Sequence, residues 1–332
     1  AYWDLVLAYH TLAIRARLLD RGVEVRDDIR IRRIQDARQA QVADAAARVE
    51  RRKGDLLVAQ TALRRASDRL KALINDPDLP VGSEIMLVPV DRAVDEPIEF
   101  SLLDAVTTAI DARPEIQQAI LAIDDASVRQ VVAQNAAKPR LDLTGQVALI
   151  GFDDDMGRAY GNLGDGEFLD EFLLGVLFEQ PIGNRAGNAG SRRARLERLR
   201  AITLYRRAVQ GVVLDVKNAL DSVVRDYRLI EQAKLTRIAQ GEALRTLQVE
   251  KELTNSGYSV ERLNLELNQQ EALASAEINE ILSLVDYNSS IARLYAATGT
   301  ALERSRIDLI VPDANQVLDG NRALDYRMPE GE

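Results

Sequence analysis

The sequence has no cysteine and a single histidine, His10. Without thiols there is no disulfide framework, thiolate nucleophile, cysteine-ligated zinc or iron–sulfur cluster. One histidine leaves a Ser-His-Asp triad or a His-rich metal centre almost nothing to be built from. Phe, Trp and Tyr make up only 5% of the 332 residues, thin for a conventional compact core. The longest apolar run, Phe172 to Phe178, falls far short of the ~20 residues that a membrane-spanning helix needs. Charge also runs the wrong way for nucleic acid, with 43 basic against 52 acidic side chains and a net charge of −9. The expectation is a protein that is no enzyme, holds no cofactor and binds no nucleic acid. The chain opens on Ala1 in helical pattern rather than on Met, and no signal peptide is visible. It is therefore read as a fragment or processed product.

What is present is organised by proline. Residues 1–76 and 182–311 contain none, while seven of the nine prolines lie between Pro77 and Pro181. Because proline breaks helices, two long helical blocks flank an irregular middle. In the first block Val42, Val49, Leu56, Leu63 and Leu70 recur every seven residues, with Ala45, Ala59, Ala66 and Leu73 on the neighbouring seam. That spacing specifies a left-handed coiled-coil surface. Upstream, Leu5, Tyr9, Leu12, Leu19 and Val23 form a second stripe, and the polar stretch Gln35 to Gln39 is the candidate turn between two helices. The second block repeats the plan, with a helix from about Arg193 to Leu253, a turn at Asn255-Ser256-Gly257 and a return to Ala297. At 1.5 Å per residue the first of these is roughly 90 Å long unless broken near Gly211 or Gly241. A shift of 224 positions lays Leu70-Lys71-Ala72-Leu73 over Leu294-Tyr295-Ala296-Ala297 and Asn75 over Gly299. An internal repeat is the better reading.

Between the blocks, Asp76 to Ser101 is a linker with a short strand candidate, Ile85 to Val88. A helix from Leu102 is interrupted near Arg113-Pro114 and continues to Ala137. Pro139 then opens a strand with Leu141, Leu143, Val147 and Leu149 on one face and Asp142, Thr144 and Gln146 on the other. After a polar loop from Asp153 to Glu167 a second strand alternates Phe172, Leu174, Val176 and Phe178 with Leu173, Gly175, Leu177 and Glu179. About ten residues each suits tilted membrane strands, and equally a soluble hairpin packed on a helix. Two strands alone cannot span a bilayer, because their edges would leave backbone groups unpaired in lipid. Membrane strands would therefore need further strands to close a barrel.

The ordered set Arg113-Pro114-Glu115-Ile116, Ala136 to Leu143, strand, loop, strand, Gln180-Pro181-Ile182-Gly183, an Arg-rich helix start (Arg192, Arg193, Arg195), Tyr205, Val212 to Leu220, Tyr287-Asn288 and Leu294 to Gly299 resembles the TolC-like outer-membrane efflux protein family over about residues 1–302. The resemblance implies a mainly α fold with a β membrane portion. Long antiparallel helical hairpins form an α-barrel in the periplasm, and each protomer gives strands to a trimeric transmembrane β-barrel. On that map residues 1–75 are the helical hairpin of an incomplete first repeat and 76–101 an equatorial linker. Residues 102–302 are the second repeat, with a β-hairpin over 140–182 and a helical hairpin over 193–298, and 303–332 are a polar tail. The first repeat's leading helix and both of its strands are missing.

The resemblance further implies a passive exit duct of a tripartite efflux or type I secretion system in the bacterial outer membrane. Its partners would be two further copies of itself, a periplasmic adaptor protein, outer-membrane lipid and, indirectly, an inner-membrane pump. Asp142, Thr144 and Gln146 would line the pore, and Phe152, Tyr160, Phe168 and Phe172 would form an interfacial girdle. The hairpin tips Asp36, Arg38, Gln39, Asn255, Ser256 and Gly257 would meet the adaptor. The family often carries an acidic residue just after the second hairpin turn. Here Leu265 and Asn268 stand where an aspartate is expected, so Glu261, Glu266 and Asn268 are the candidates for the periplasmic entrance.

Other signals have plainer readings. Asp153-Asp154-Asp155 is a solvated loop rather than a Ca²⁺ site, and Gly183, Gly187 and Gly190 fit a flexible connection rather than a phosphate loop. The arginines from Arg192 to Arg207 read as a solvated face, with anionic lipid or a partner as the alternative. Asp215, Asp221 and Asp226 are too widely spaced for paired acid–base work. The rival to the duct is a soluble coiled-coil scaffold with a solvent-facing β-hairpin.

Overall fold

The computed structural model describes residues 1–32, 39–151, 168–253 and 260–307. In chain order these form α1 (Tyr2–Arg32), α2 (Gln39–Ile74), α3 (Leu102–Ala112), α4 (Pro114–Asn135), β1 (Arg140–Gly151), β2 (Phe168–Glu179), α5 (Arg185–Leu253), α6 (Val260–Ala297) and a single turn, α7 (Ala301–Arg304). The chain divides into two compact units, one from residues 1–112 with 212 onward and one from Arg113–Gly211. Among the described residues no helix is long and apolar enough to cross a membrane.

In the first unit α1 packs against both α2 and α6. Its buried line is Leu5, Ile14, Leu18, Val25 and Ile29, spaced near the heptad repeat of a left-handed coil. This corrects the expected stripe, since Tyr9 is exposed and Leu12, Leu19 and Val23 are only half-buried. On α2 the buried seam holds Ala45, Val49, Arg52, Ala59, Leu63, Ser67 and Lys71. Val49 and Leu63 from the expected ladder are in it, but Leu73 is exposed because the seam drifts toward steps of four near its end. A second cluster gathers Val223, Ile230, Tyr287, Ile291 and Leu294 with Ile98 and Phe100.

Ile85 to Val88 is not a strand. Instead the segment is an extended belt pinned by helix side chains. The Leu87 amide donates to Ser67 Oγ at 3.2 Å, and the Lys71 ammonium donates to the Ser83 carbonyl at 3.1 Å and to Ser83 Oγ at 3.2 Å. Farther on, Tyr2 Oη accepts the Asp91 amide. Asn288 pairs both backbone groups of Val94 at 3.0 Å. Tyr287 Oη donates to the Glu96 carbonyl and accepts the Ile98 amide. A β-strand candidate that meets no sheet among the described residues satisfies its peptides this way.

The two stops aligned by the 224-residue shift share a conformation: Asn75 and Gly299 both have positive φ, 52° and 75°. After α6 the Gly299 amide donates to the Ala296 carbonyl and the Thr300 amide to Tyr295, the Schellman arrangement that caps orphan carbonyls. A Cβ at Gly299 would also lie 3.2 Å from Ala112 at the end of α3.

In the second unit Pro114 opens α4 at its first position, where its missing amide costs nothing. β1 and β2 pair antiparallel, from Arg140↔Glu179 to Gly151↔Phe168. α5 starts at Arg185, eight residues before the arginine run suggested, so Gly187 and Gly190 are helical and no flexible connection exists there. Asn184 is the reason, accepting the Gly187 amide on Oδ1 at 3.0 Å as a helix cap. Only Gly183 before it takes positive φ. The helix is unbroken at Gly211 and Gly241.

Candidate functional site

The register of the β-hairpin sorts its side chains into two coherent faces. Leu141 lies opposite Phe178, Leu143 opposite Val176, and Val147 opposite Phe172. Period-two alternation therefore puts Leu141, Leu143, Val147, Phe172, Leu174, Val176 and Phe178 on one face, each more than 60% exposed. The other face carries the three pore candidates. Asp142 is held by Arg140 Nε at 2.6 Å, and the Thr144 hydroxyl donates to the Gly175 carbonyl at 3.3 Å. Gln146 lies opposite Leu173. A Cβ at Gly175 would sit 2.8 Å from Thr144 Oγ1, so a larger residue there would have to turn the Thr144 hydroxyl aside. That face is mixed, since Leu173 and Leu177 share it and both are exposed. Phe172 is the one girdle residue whose side chain is described. The side chain of Phe168 lies outside the described set, as do residues Phe152 and Tyr160.

The entrance candidates lie on α6. Glu266 is buried, with Lys251 Nζ of α5 3.6 Å from its carboxylate; the same ammonium reaches Asp28 of α1 at 3.0 Å. Asn268 is exposed and accepts Arg48 Nη1 on Oδ1 at 2.7 Å. Glu261 belongs to α6, but its side chain is not described. Of the tip candidates only Gln39 is described, exposed at the start of α2; Asp36, Arg38, Asn255, Ser256 and Gly257 lie outside the described residues.

The residue that sequence reasoning missed is Arg52. It is 2% exposed at the meeting of α1, α2 and α6. Nη1 donates to the Leu18 carbonyl at 2.9 Å and to Gln270 Oε1 at 3.1 Å, and Nη2 donates to the Leu267 carbonyl at 3.1 Å. Among the described residues its one carboxylate partner, Glu271, is 3.8 Å away, and Nε is buried without a partner. Burial pushes the guanidinium below its ordinary value, with Glu271 pulling the other way. A buried cation served mainly by carbonyls is expensive, so Arg52 fixes how three helices meet rather than adding stability cheaply. Gly22 makes room for it, as a Cβ there would lie 2.4 Å from Nη1. The sequence signal was a charged residue on a heptad seam, three after Val49 and four before Leu56.

On α6, Tyr287 and Asn288 form the clamp on the belt described above. Asp286 beside them has a carboxyl held above its ordinary value by burial first and then by Asp226, while Arg293 and Arg225 act in the opposite sense. Asp226 itself is buried and paired with Arg225 at 2.8 Å.

No protein-family model and no curated protein matches the chain. Solved structures do. A membrane protein from Pseudomonas aeruginosa aligns with a TM-score of 0.72 at 20% identity, covering 90% of this chain and 66% of that one. The open state of the Neisseria gonorrhoeae MtrE outer-membrane channel aligns with a TM-score of 0.69 at 24% identity over 91% of this chain and 64% of the channel. The Campylobacter jejuni CmeC outer-membrane channel gives 0.69 at 18% identity over 96% of this chain and 63% of the channel. The chain thus spans less than two thirds of the length of each of the three. Two helical hairpins, a paired strand hairpin ahead of the second of them and a clamped linker together place the chain in the fold of the TolC-like outer-membrane channels.

Proposed function

We propose that the chain is the larger part of an outer-membrane exit duct, the passive channel of a tripartite efflux or type I secretion system. The observation that carries this is the β-hairpin: its in-register apolar face is bare from Leu141 to Val147 and from Phe172 to Phe178, and it belongs to a fold found in outer-membrane channels. Apolar strands of this length are stable in lipid only inside a closed barrel, which three copies and the first-repeat strands that the resemblance implies would complete. In that arrangement Leu141, Leu143, Val147, Leu149, Leu174 and Val176 face lipid while Asp142, Thr144 and Gln146 face the lumen. The helical hairpins form the periplasmic barrel, with Glu261, Glu266 and Asn268 at its entrance. Residues Asp36, Arg38, Gln39, Asn255, Ser256 and Gly257 at the tips meet a periplasmic adaptor. The duct performs no chemistry; an inner-membrane pump supplies the energy.

The test is density-gradient fractionation of cells expressing the complete parent protein, with cross-linking before gel analysis. A trimer in the outer-membrane fraction is the expected result. A soluble monomer or dimer overturns the reading in favour of a coiled-coil scaffold. Charge reversal at Asp36 and Arg38 then tests the tips, with weaker adaptor binding and an intact trimer expected.

A further inference from the structure

The end of the β-hairpin where its strands join the helices carries positive charge that the duct reading leaves unused. From Gln180 to Leu214 the sequence holds eight arginines and one acid, Glu197, in a chain of net charge −9. Lys138 leads into β1 at the same end, where Arg140, the register partner of Glu179, is already paired with Asp142. Asn184 donates to the Ala137 carbonyl at 2.8 Å and Arg198 to Ser127 Oγ at 2.9 Å, so the start of α5 runs alongside α4. Arg193 pairs with Glu197 at 2.9 Å; among the described residues Arg185, Arg192 and Arg195 have no acid partner. Arg185, Arg192 and Arg193, with Gly183, Asn188 and the exposed Leu196, line an open cleft of about 530 Å³. At the opposite end of the hairpin the sign reverses. The connection between the strands holds Asp153 to Asp155, Asp165 and Glu167 against one base, Arg158.

Resting on the duct reading, we propose that this cleft and its arginines bind the phosphates of anionic phospholipid headgroups in the leaflet at the helical end of the hairpin. The guanidinium fork matches a phosphate with two parallel hydrogen bonds. Arg192 and Arg195, three apart on the helix, repel one another until counter-charge arrives, and a layer of phosphates supplies it. Depth agrees as well. The polar zone of a bilayer adds about 5–8 Å on each side of its hydrocarbon, and the seven residues from Arg185 to Arg192 rise about 10 Å along α5. The exposed apolar residues of the adjoining strand ends, Leu141 and Phe178, set the acyl chains beside that zone. An acidic protein would answer the charge but not this apolar flank.

The test uses the full-length channel in detergent with an equimolar mixture of phosphatidylglycerol and phosphatidylethanolamine, reading co-purified lipid by mass spectrometry. The wild type should retain phosphatidylglycerol preferentially. The variant Arg185→Gln/Arg192→Gln/Arg193→Gln should lose that retention about tenfold or more, since each basic residue near a charged surface contributes about fivefold. Equal retention of the two lipids by the wild type overturns the proposal, as does unchanged retention by the variant. Displacement of the lipid by excess inorganic phosphate would assign a free-phosphate site, and equally tight binding of polyglutamate an acidic protein; either result also overturns it. If the variant fails to assemble, the preference of the unaltered channel decides. A soluble parent protein fails the duct reading itself, whereas a membrane trimer without lipid preference fails only this inference.

Discussion

In the α1–α2 hairpin Val25, Ile29, Ala45 and Val49 keep only 2–3% of their surface, whereas the apolar face of the β-hairpin keeps between 61% and 76%. Both segments alternate apolar and polar residues at the period of their secondary structure. The difference is where the partner comes from. For α1 and α2 it is α6 of the same chain, packed closely enough to trap a guanidinium among helix carbonyls. For β1 and β2 the described residues supply nothing but each other. The buried seam is closed among the described residues, and the bare, well-registered face is the one left open for the barrel proposed above.

The sharpest way to break that comparison is inside the closed seam. Arg52→Ala leaves a cavity and strips Gln270 and two carbonyls of their donor, and should cost about 4 kcal/mol, read from urea unfolding midpoints. Arg52→Met fills the cavity and should recover only part of the loss, because Gln270 and the two carbonyls still lack their donor. A silent Arg52→Ala would mean that the three-helix junction does not depend on this contact. Next in size is the open face. Leu174→Arg should cost roughly 2–4 kcal/mol near a bilayer midplane and abolish the cross-linkable trimer in the outer-membrane fraction; normal assembly would show that the face meets water. Smaller is the clamp, where Tyr287→Phe removes the hydroxyl that serves Glu96 and Ile98 and should cost about 1–2 kcal/mol, seen as faster proteolysis within residues 90–98.

The smallest effect is a pH dependence. The Asp286 carboxyl is raised in the folded chain by burial and by Asp226, so its contribution is fully present below the unfolded value and is lost as pH rises through the folded one. Asp286→Asn should therefore raise the thermal midpoint slightly at neutral pH, and the advantage should vanish in the acid range around the ordinary aspartate value. An equal advantage at both ends would mean that the residue acts through packing rather than charge.

Much of this was legible where one local rule dominated. The faces of β1 and β2 follow from period two, the break between α3 and α4 from Pro114, and the shared stops at Asn75 and Gly299 from residues that tolerate positive φ. Where tertiary contacts decide, the sequence was silent or misleading. The stripe on α1 rotated because it must face two helices at once, and Leu73 came out of the seam as the α2 line drifted. Ile85 to Val88 had strand composition but met hydroxyl, ammonium and amide side chains instead of a sheet. α5 began early because one asparagine cap outweighs two helical glycines. Arg52 was hidden because heptad reasoning expects its seam to be apolar.

The belt from Ser83 to Ile98 is held by its peptide groups, at Ser67, Lys71, Tyr2, Tyr287 and Asn288. Spacing is therefore fixed, while the lettering of the outward-facing positions is free. Deleting one residue between Leu87 and Val94 would carry Val94 out of reach of Asn288 and shift every later anchor by a peptide. Rewriting the outward-facing Ile85, Val88 or Val90 would leave each anchor in place. This segment can drift in composition without drifting in position, which makes it the natural site for a spectroscopic label that reports on the helices without disturbing them.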